Sequence, residues 1–248
     1  MGMADDNYYF DHRDQQAAPM DGPNVEPEYI DAVTAHVERT VGKTGNLFHE
    51  ILSPYVHLDI LMVPPGWKRP WTTLVTCGMG SRPMNTPPEL QSRSRMELAI
   101  CLPADWPPLT SDSVENMGTG PGAWIIPLLQ FHARLPFQYN TWFGEGHTIP
   151  NGDPPEPLSE GSQLCCAMIA KPKHIGNRDF HRLQLDNEEY VHFWSLVFIT
   201  QAELSYKFRR GTANLMQRFK EHKVDELLKL DRPSTCRGGL LGLFGFLG

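Results

Sequence analysis

The hydrophobic positions of the chain recur with two different periods, and the switches between them lay out its elements. From Glu26 to Lys43, Ile30, Val33 and Val37 fall at the spacing of one helical face, and Gly42 and Gly45 mark its stop. The period then shortens. In the run Tyr55–Met84, Leu58 and Ile60 alternate with His57 and Asp59, which predicts a strand over 56–63. A Pro/Gly/Trp turn leads to a second strand over 71–77, followed by a glycine-rich exit, Gly78 and Gly80, closed by Pro83. The stretch RMELAICLP predicts a third strand, 95–102, of almost wholly buried character.

A polar loop runs from Pro103 to Gly122. Trp124 to Phe137 then reads as an amphipathic helix with Gln130 and Arg134 facing water, and it starts near Trp124 because Pro127 is tolerated only in a first turn. A loop punctuated by Gly and Pro follows, with a short strand near Thr148. Leu164–Ala170 and Tyr190–Ile199 predict two more strands, joined by a basic solvent loop carrying Lys171, Lys173, Arg178 and Arg182. Thr200 and Glu203 form a capping box for a helix that carries Leu204 and Phe208 on one face and stops at Gly211. A last helix is predicted over 212–229 from Leu215, Phe219, Leu227 and Leu228. This order predicts an α+β fold, a single mixed β-sheet flanked by helices. There is no βαβ alternation, no G-x-G-x-x-G and no P-loop, so a nucleotide-binding fold is not expected. The division is an extended polar arm over 1–25, a domain over 26–233 and a Gly/Leu/Phe-rich tail over 234–248. The tail is read either as a loosely packed end or as a sticky segment that docks on a groove or a neighbour.

Composition narrows the function classes. The chain has 248 residues, enough to bury a core without staples. Its net charge of -7 lacks the basic excess of a nucleic-acid binder. The N-terminus is acidic without an apolar signal core, and Asp6 stands where a lipidation motif wants Ser or Thr. No run approaches the roughly 18 apolar residues of a spanning helix, so a cytoplasmic location with no membrane contact is expected. Five cysteines without repeated spacing suggest neither a disulfide framework nor a zinc site. Cys77, Cys101, Cys165 and Cys166 sit in strand-like runs as small buried hydrophobes, and Cys236 sits in the polar tail.

Three groups of residues carry candidate chemistry. His57 and Asp59 share one face of a strand, either as a base or metal pair or as its outward polar side. Glu145 and His147 sit in a loop beside Trp142 and Phe143, either as a rim that grips a peptide or as aromatics that plug the sheet end. A hydrolase would need His57, Asp59 and His147 to converge. Ser195, inside an apolar strand, has no nucleophile elbow around it.

Five segments occur in an order that resembles the suppressor of fused (SUFU) domain family: VHLDILMVPP, LVTCGMGSRPM, ELAICLPADWP, YNTWFGEGH and the TQAELSYKF close, over about Tyr55 to Pro233. The resemblance implies a sandwich-like α/β domain that is not an enzyme, uses no cofactor or metal, and acts by binding another protein. Animal members grip an extended peptide between two domains, and this chain looks like the first of those. The loop Tyr139–His147 resembles part of the family's peptide-binding region, with Asn140, Thr141 and His147 matching its pattern. The acidic residue that precedes the histidine in the animal form is Gly146 here, with Glu145 one step away. Partner-binding residues are therefore expected at Tyr139, Asn140, Trp142, Phe143, Glu145 and His147, with His57 and Asp59 structural. The expected function is to sequester or neutralise a protein, as toxin immunity proteins do, by adding an extended segment to a sheet edge. The overall acidity fits a basic partner. The alternatives are a metal-assisted or His/Asp hydrolase and a regulator of a transcription factor as in animal Hedgehog signalling.

Overall fold

The computed structural model describes residues 25–45, 47–48, 55–107, 109, 121–185 and 189–236. The arm up to residue 24, most of the polar loop after Pro107 and the tail from Arg237 lie outside the described residues.

Helix α1, Pro27–Thr40, begins with proline in its first turn, where a missing N–H is harmless. The strands are β1 Leu47–Phe48, β2 Asp59–Val63, β3 Trp71–Cys77, β4 Met96–Pro103, β5 Thr148–Pro150, β6 Leu164–Ala170, β7 Arg182–Gln184 and β8 Tyr190–Thr200. Helices α2 Ile125–Gln138, α3 Gln201–Arg210 and α4 Thr212–His222 complete the elements used below. The strands form one sheet in the order β1-β2-β3-β4-β8-β6-β5, with β7 beside β8. The β4–β8 pair is parallel and the others antiparallel, so the sheet is mixed, as the sequence predicts. Strand β8 is central: β7 pairs with its first residues and β6 with its last.

Alternation along β8 sends Trp194, Leu196 and Phe198 to one face and Phe193, Val197 and Ile199 to the other. Helix α2 covers the first face with Ile126, Leu129 and Ala133. On the second face, α1 packs Val33 and Val37 over Val75 and Val191, while α3 and α4 pack Leu204, Leu215 and Phe219 over Met168 and Ile199. All five cysteines are free and buried.

Three expectations change. Gln130 is buried at 8% exposure, and the surface of α2 belongs instead to Pro127 and to Phe131, which is 44% exposed. The covered arc of α2 is wider than its apolar stripe: His132 is also buried, held by a hydrogen bond to the Leu128 carbonyl and set edge-on to Phe198. The last helix stops at His222, not 229, because Lys223 turns into the left-handed region at φ 55°. Beyond it, Cys101 N–H donates to the Glu226 carbonyl and Leu228 N–H to the Cys101 carbonyl, so this segment continues the edge of β4 where β8 has left it. The basic stretch after β6 is more than a solvent loop, since it contains β7 and the fully buried Phe180, whose carbonyl bonds the His36 ring.

Two buried carboxylates organise the chain ends. Glu97 on β4 is fully covered. Its Oε1 accepts from the Tyr29 hydroxyl of α1 at 2.7 Å and from the N–H groups of Gly78 and Gly80 at 2.9 and 3.0 Å. Its Oε2 accepts from the Thr76 hydroxyl, which itself accepts from Leu98 N–H. The glycine-rich exit from β3 is shaped to reach this group. Gly78 has φ +124°, and a Cβ there would collide with the His57 carbonyl; a Cβ at Gly80 would collide with the Tyr29 hydroxyl. Burial pushes the Glu97 carboxyl up to about 7 against the pull of these donors. Glu203 completes the predicted capping box with Thr200 and is clasped by both terminal nitrogens of Arg232, at 2.8 and 2.6 Å. Thr235 N–H also donates to it, which brings Thr235 and Cys236 onto α3 and α4.

Candidate partner-binding site

The loop after α2 is tied at both ends. Asn140 takes the left-handed conformation at φ 48°, which asparagine tolerates, and reverses the chain. Thr141 N–H then caps the Pro136 carbonyl at 2.8 Å, and Asn85 N–H donates to the Thr141 carbonyl at 3.2 Å. At the far end Gly146 N–H donates to the Ile169 carbonyl and Ile169 N–H to the His147 carbonyl, fixing the loop to β6. Two glycines let it fold back. A Cβ at Gly144 would stand 2.6 Å from the Trp142 ring, and one at Gly146, where φ is +86°, would stand 2.8 Å from the Thr212 methyl of α4.

This loop forms one wall of a cavity of about 720 Å³. Helix α4 forms the opposite wall with Ala213, Met216, Gln217 and Lys220. Trp142, Phe143 and Trp194 supply aromatic surface. Around them stand Arg93, Lys171, Lys173 and Lys220, all exposed, and a single acid, Glu145. Glu145 lies 3.4 Å from the Lys171 ammonium; both side chains are largely in water, so the pair contributes at most about 1 kcal/mol. His147 is buried with its ring 4.5 Å from that of Trp142. Burial first, and then the charge of the buried Lys207, lowers its pKa to about 4, so it is neutral at physiological pH.

Of the six residues expected to bind a partner, Trp142, Phe143, Glu145 and His147 line this cavity. Tyr139 lines a separate one of about 290 Å³ with Phe131 and Pro150 at the β5 edge. Asn140 lines neither; its carbonyl accepts from the Asn85 side chain. The expected pair of exposed aromatics reduces to Trp142, since Phe143 is 2% exposed and belongs to the main core. Sequence reasoning missed the α4 wall. Its signal is visible in retrospect: Ala213, Met216, Gln217 and Lys220 follow i, i+3, i+4, i+7 on a second face of the helix. Two of the loop cations that the sequence singles out, Lys171 and Lys173, do reach the cavity.

His57 and Asp59 form a contact of 3.2 Å, with Asp59 buried. Asp59 opens β2 and His57 lies two residues ahead of it, so the two do not share a strand face as expected; His147 precedes β5, and β3, β4, β8 and β6 lie between those strands. At about 4.8 Å per strand the two sites are roughly 24 Å apart, so the three groups of the hydrolase alternative do not converge. Ser195 is fully buried. Among the described residues no three His, Cys, Asp or Glu side chains are grouped to hold a metal ion, and no helix is long and apolar enough to cross a membrane.

Known proteins share both the sequence pattern and the fold. The family described as Suppressor of fused protein (SUFU) matches residues 54–233. The chain belongs to the SUFU family. Its fold is similar to that of a SUFU homolog from Neisseria gonorrhoeae FA 1090, at 20% identity and TM-score 0.62, covering 86% of this chain and all of the other. It is also similar to the Sufu-Fu complex structure (16% identity, TM-score 0.59, 84% of this chain and 92% of that one) and to Drosophila Suppressor of Fused (16%, 0.54, 92% of this chain). The chain spans about half, 54%, of the Drosophila chain. At these identities the likeness to solved SUFU structures is one of fold. No curated protein sequence matches the chain.

Proposed function

We propose that this SUFU domain is a non-catalytic binding module that holds a segment of another protein in the cavity between the Trp142 loop and α4. One observation carries the reading: four of the six loop residues expected to bind a partner line one cavity, which faces α4. Membership of the family supports it, as does fold similarity to a Sufu protein solved as a complex with Fu. Side-chain capture suits this site better than strand addition. The edge strand β5 is three residues long, wholly buried, and ends in Pro150, which has no N–H to offer. Trp142, half-buried and backed by core, has the setting of an interface anchor. The outcome for the partner is sequestration, of which neutralising a toxin is one form.

The test is affinity capture from source cells by the wild-type protein and by Trp142→Ala, with circular dichroism and a thermal melt to show that the variant folds. A specific partner weakened by at least about 30-fold, the equivalent of a 2 kcal/mol anchor, is expected. A folded Trp142→Ala protein that retains full affinity refutes the site.

A further inference from the structure

The cavity carries a charge opposite to that of the whole chain. The sequence has a net charge of -7, which on its own favours a basic partner. Around the cavity, four cations (Arg93, Lys171, Lys173 and Lys220) face one carboxylate, Glu145. That carboxylate already has a cation, Lys171, at 3.4 Å. The cations come from three separate segments: the turn before β4, the loop after β6, which carries both Lys171 and Lys173, and α4. They do not follow from the composition of any one element. Lys220, two turns beyond Thr212, also suits the C-terminal end of α4, but no helix terminus accounts for Lys171 or Lys173. Between the cations the surface is apolar, with Trp142, Trp194, Met216 and Leu90.

We infer that the cavity accepts an acidic protein segment carrying aromatic or aliphatic side chains. The apolar side chains of such a segment fill the space against the two tryptophans and Met216, and its flanking carboxylates meet the rim cations. A basic segment would bring its charges against four rim cations and find only Glu145, already beside Lys171. Acidic complementarity at a rim raises the encounter rate and selects among partners more than it adds affinity. This inference rests on the binding function proposed above and specifies its partner.

The experiment uses the full chain and two short synthetic peptides of the same apolar residues, one with aspartates and glutamates flanking a tyrosine, a phenylalanine and a leucine, the other with lysines in place of the acids. Binding is followed by tryptophan fluorescence, since Trp142 and Trp194 line the cavity, and by anisotropy of the labelled peptide. The acidic peptide is expected to bind saturably and more weakly as salt rises, and the lysine peptide not to bind. Lys171→Glu/Lys220→Glu, two exposed sites that leave the core alone, is expected to weaken the acidic peptide by about tenfold or more, since each replacement reverses a charge at an exposed position. Glu145→Gln moves the other way and tightens it, an effect that a merely structural role for Glu145 does not produce. Preference for the lysine peptide, no binding of the acidic one, or indifference to both charge variants overturns the inference. Binding of the acidic peptide that appears only after residues 1–24 are removed bears out the cavity's preference for acidic, aromatic segments and overturns the inference only as to its occupant, which is then the chain's own DDNYYFD segment, Asp5–Asp11. A captured partner lost in Trp142→Ala but insensitive to Lys171→Glu/Lys220→Glu also overturns it, while leaving the binding function standing.

Discussion

Replacing Glu97 by glutamine converts the buried clasp at the β3 exit into a measurement of its protonation. Three donors converge on one oxygen of Glu97, from Tyr29, Gly78 and Gly80, and the amide oxygen of a glutamine accepts all three. The fourth partner is the Thr76 hydroxyl, to which the glutamine N–H₂ donates in turn. Glutamine thus copies the protonated form of Glu97 in shape and bonding. The native carboxyl is pushed by burial to about 7, above an ordinary value of 4.5. Between those two values the unfolded chain has released this proton and the folded chain still holds it, so wild-type stability falls as pH rises. It is fully present below the lower value and is lost once pH passes the upper one. The glutamine variant has no such proton. From pH 5 to pH 8 the stability difference should therefore move by about 2–3 kcal/mol in favour of Glu97→Gln, at about 1.4 kcal/mol for each tenfold change in proton affinity between the unfolded and folded chain. Urea denaturation of both proteins at the two pH values measures it. Parallel pH dependence would refute the reasoning, and would mean that the four donors outweigh burial and hold Glu97 ionised.

Arg232→Ala strands the carboxylate of Glu203 in the core, and the expected loss is about 3–5 kcal/mol at neutral pH, a fall in Tm of roughly 10 °C or more by calorimetry. Burial alone would raise the Glu203 pKa, but the Arg232 bonds more than offset it and hold the folded value below 4.5; the stability they supply is present above that range and the gap to the variant narrows as acid is added. Gly146→Asp restores the acidic residue of the animal form at a site with φ +86° and a Cβ 2.8 Å from the Thr212 methyl. It should destabilise by about 1–3 kcal/mol in urea melts, and an unchanged midpoint would show that α4 yields to it.

What sequence reveals here follows the range of the interactions involved. The capping box of Thr200 and Glu203 is local, and it forms as read. Strands β6 and β8 are legible because both of their faces are buried, which leaves unbroken apolar runs such as LCCAMIA. The end of α4 was not legible. Leu227 and Leu228 continue an apolar pattern, but the helix turns out at Lys223 and distant partners hold the segment beyond: the Glu226 carboxylate accepts from Lys173 and Ile175 N–H while Leu228 bonds to Cys101. The two-residue β1 and three-residue β7 are too short to show a period. At the site, resemblance pointed to the Trp142 loop but to no facing surface. The α4 wall is written in the sequence as a second helical face, yet nothing local says that this face looks at Trp142. Gly146 became readable only with coordinates, because its absent side chain matters through Thr212, 66 positions away in a different element.

The closing segment gives the cavity a property of its own. Helix α4, one wall of the cavity, reaches the Thr235 carbonyl through Arg218, and Thr235 N–H in turn bonds Glu203. Glu226, just past the helix, carries the backbone of the loop that holds Lys173. Residues 226–235 therefore act as a buckle over the same helix that a partner would touch. A ligand that favours the buckled arrangement tightens the buckle by the same free energy with which the fastened buckle favours the ligand. Opening of this end of the chain and departure of the partner become one equilibrium seen from two places, and the C-terminal segment is a place where affinity can be tuned without touching the cavity.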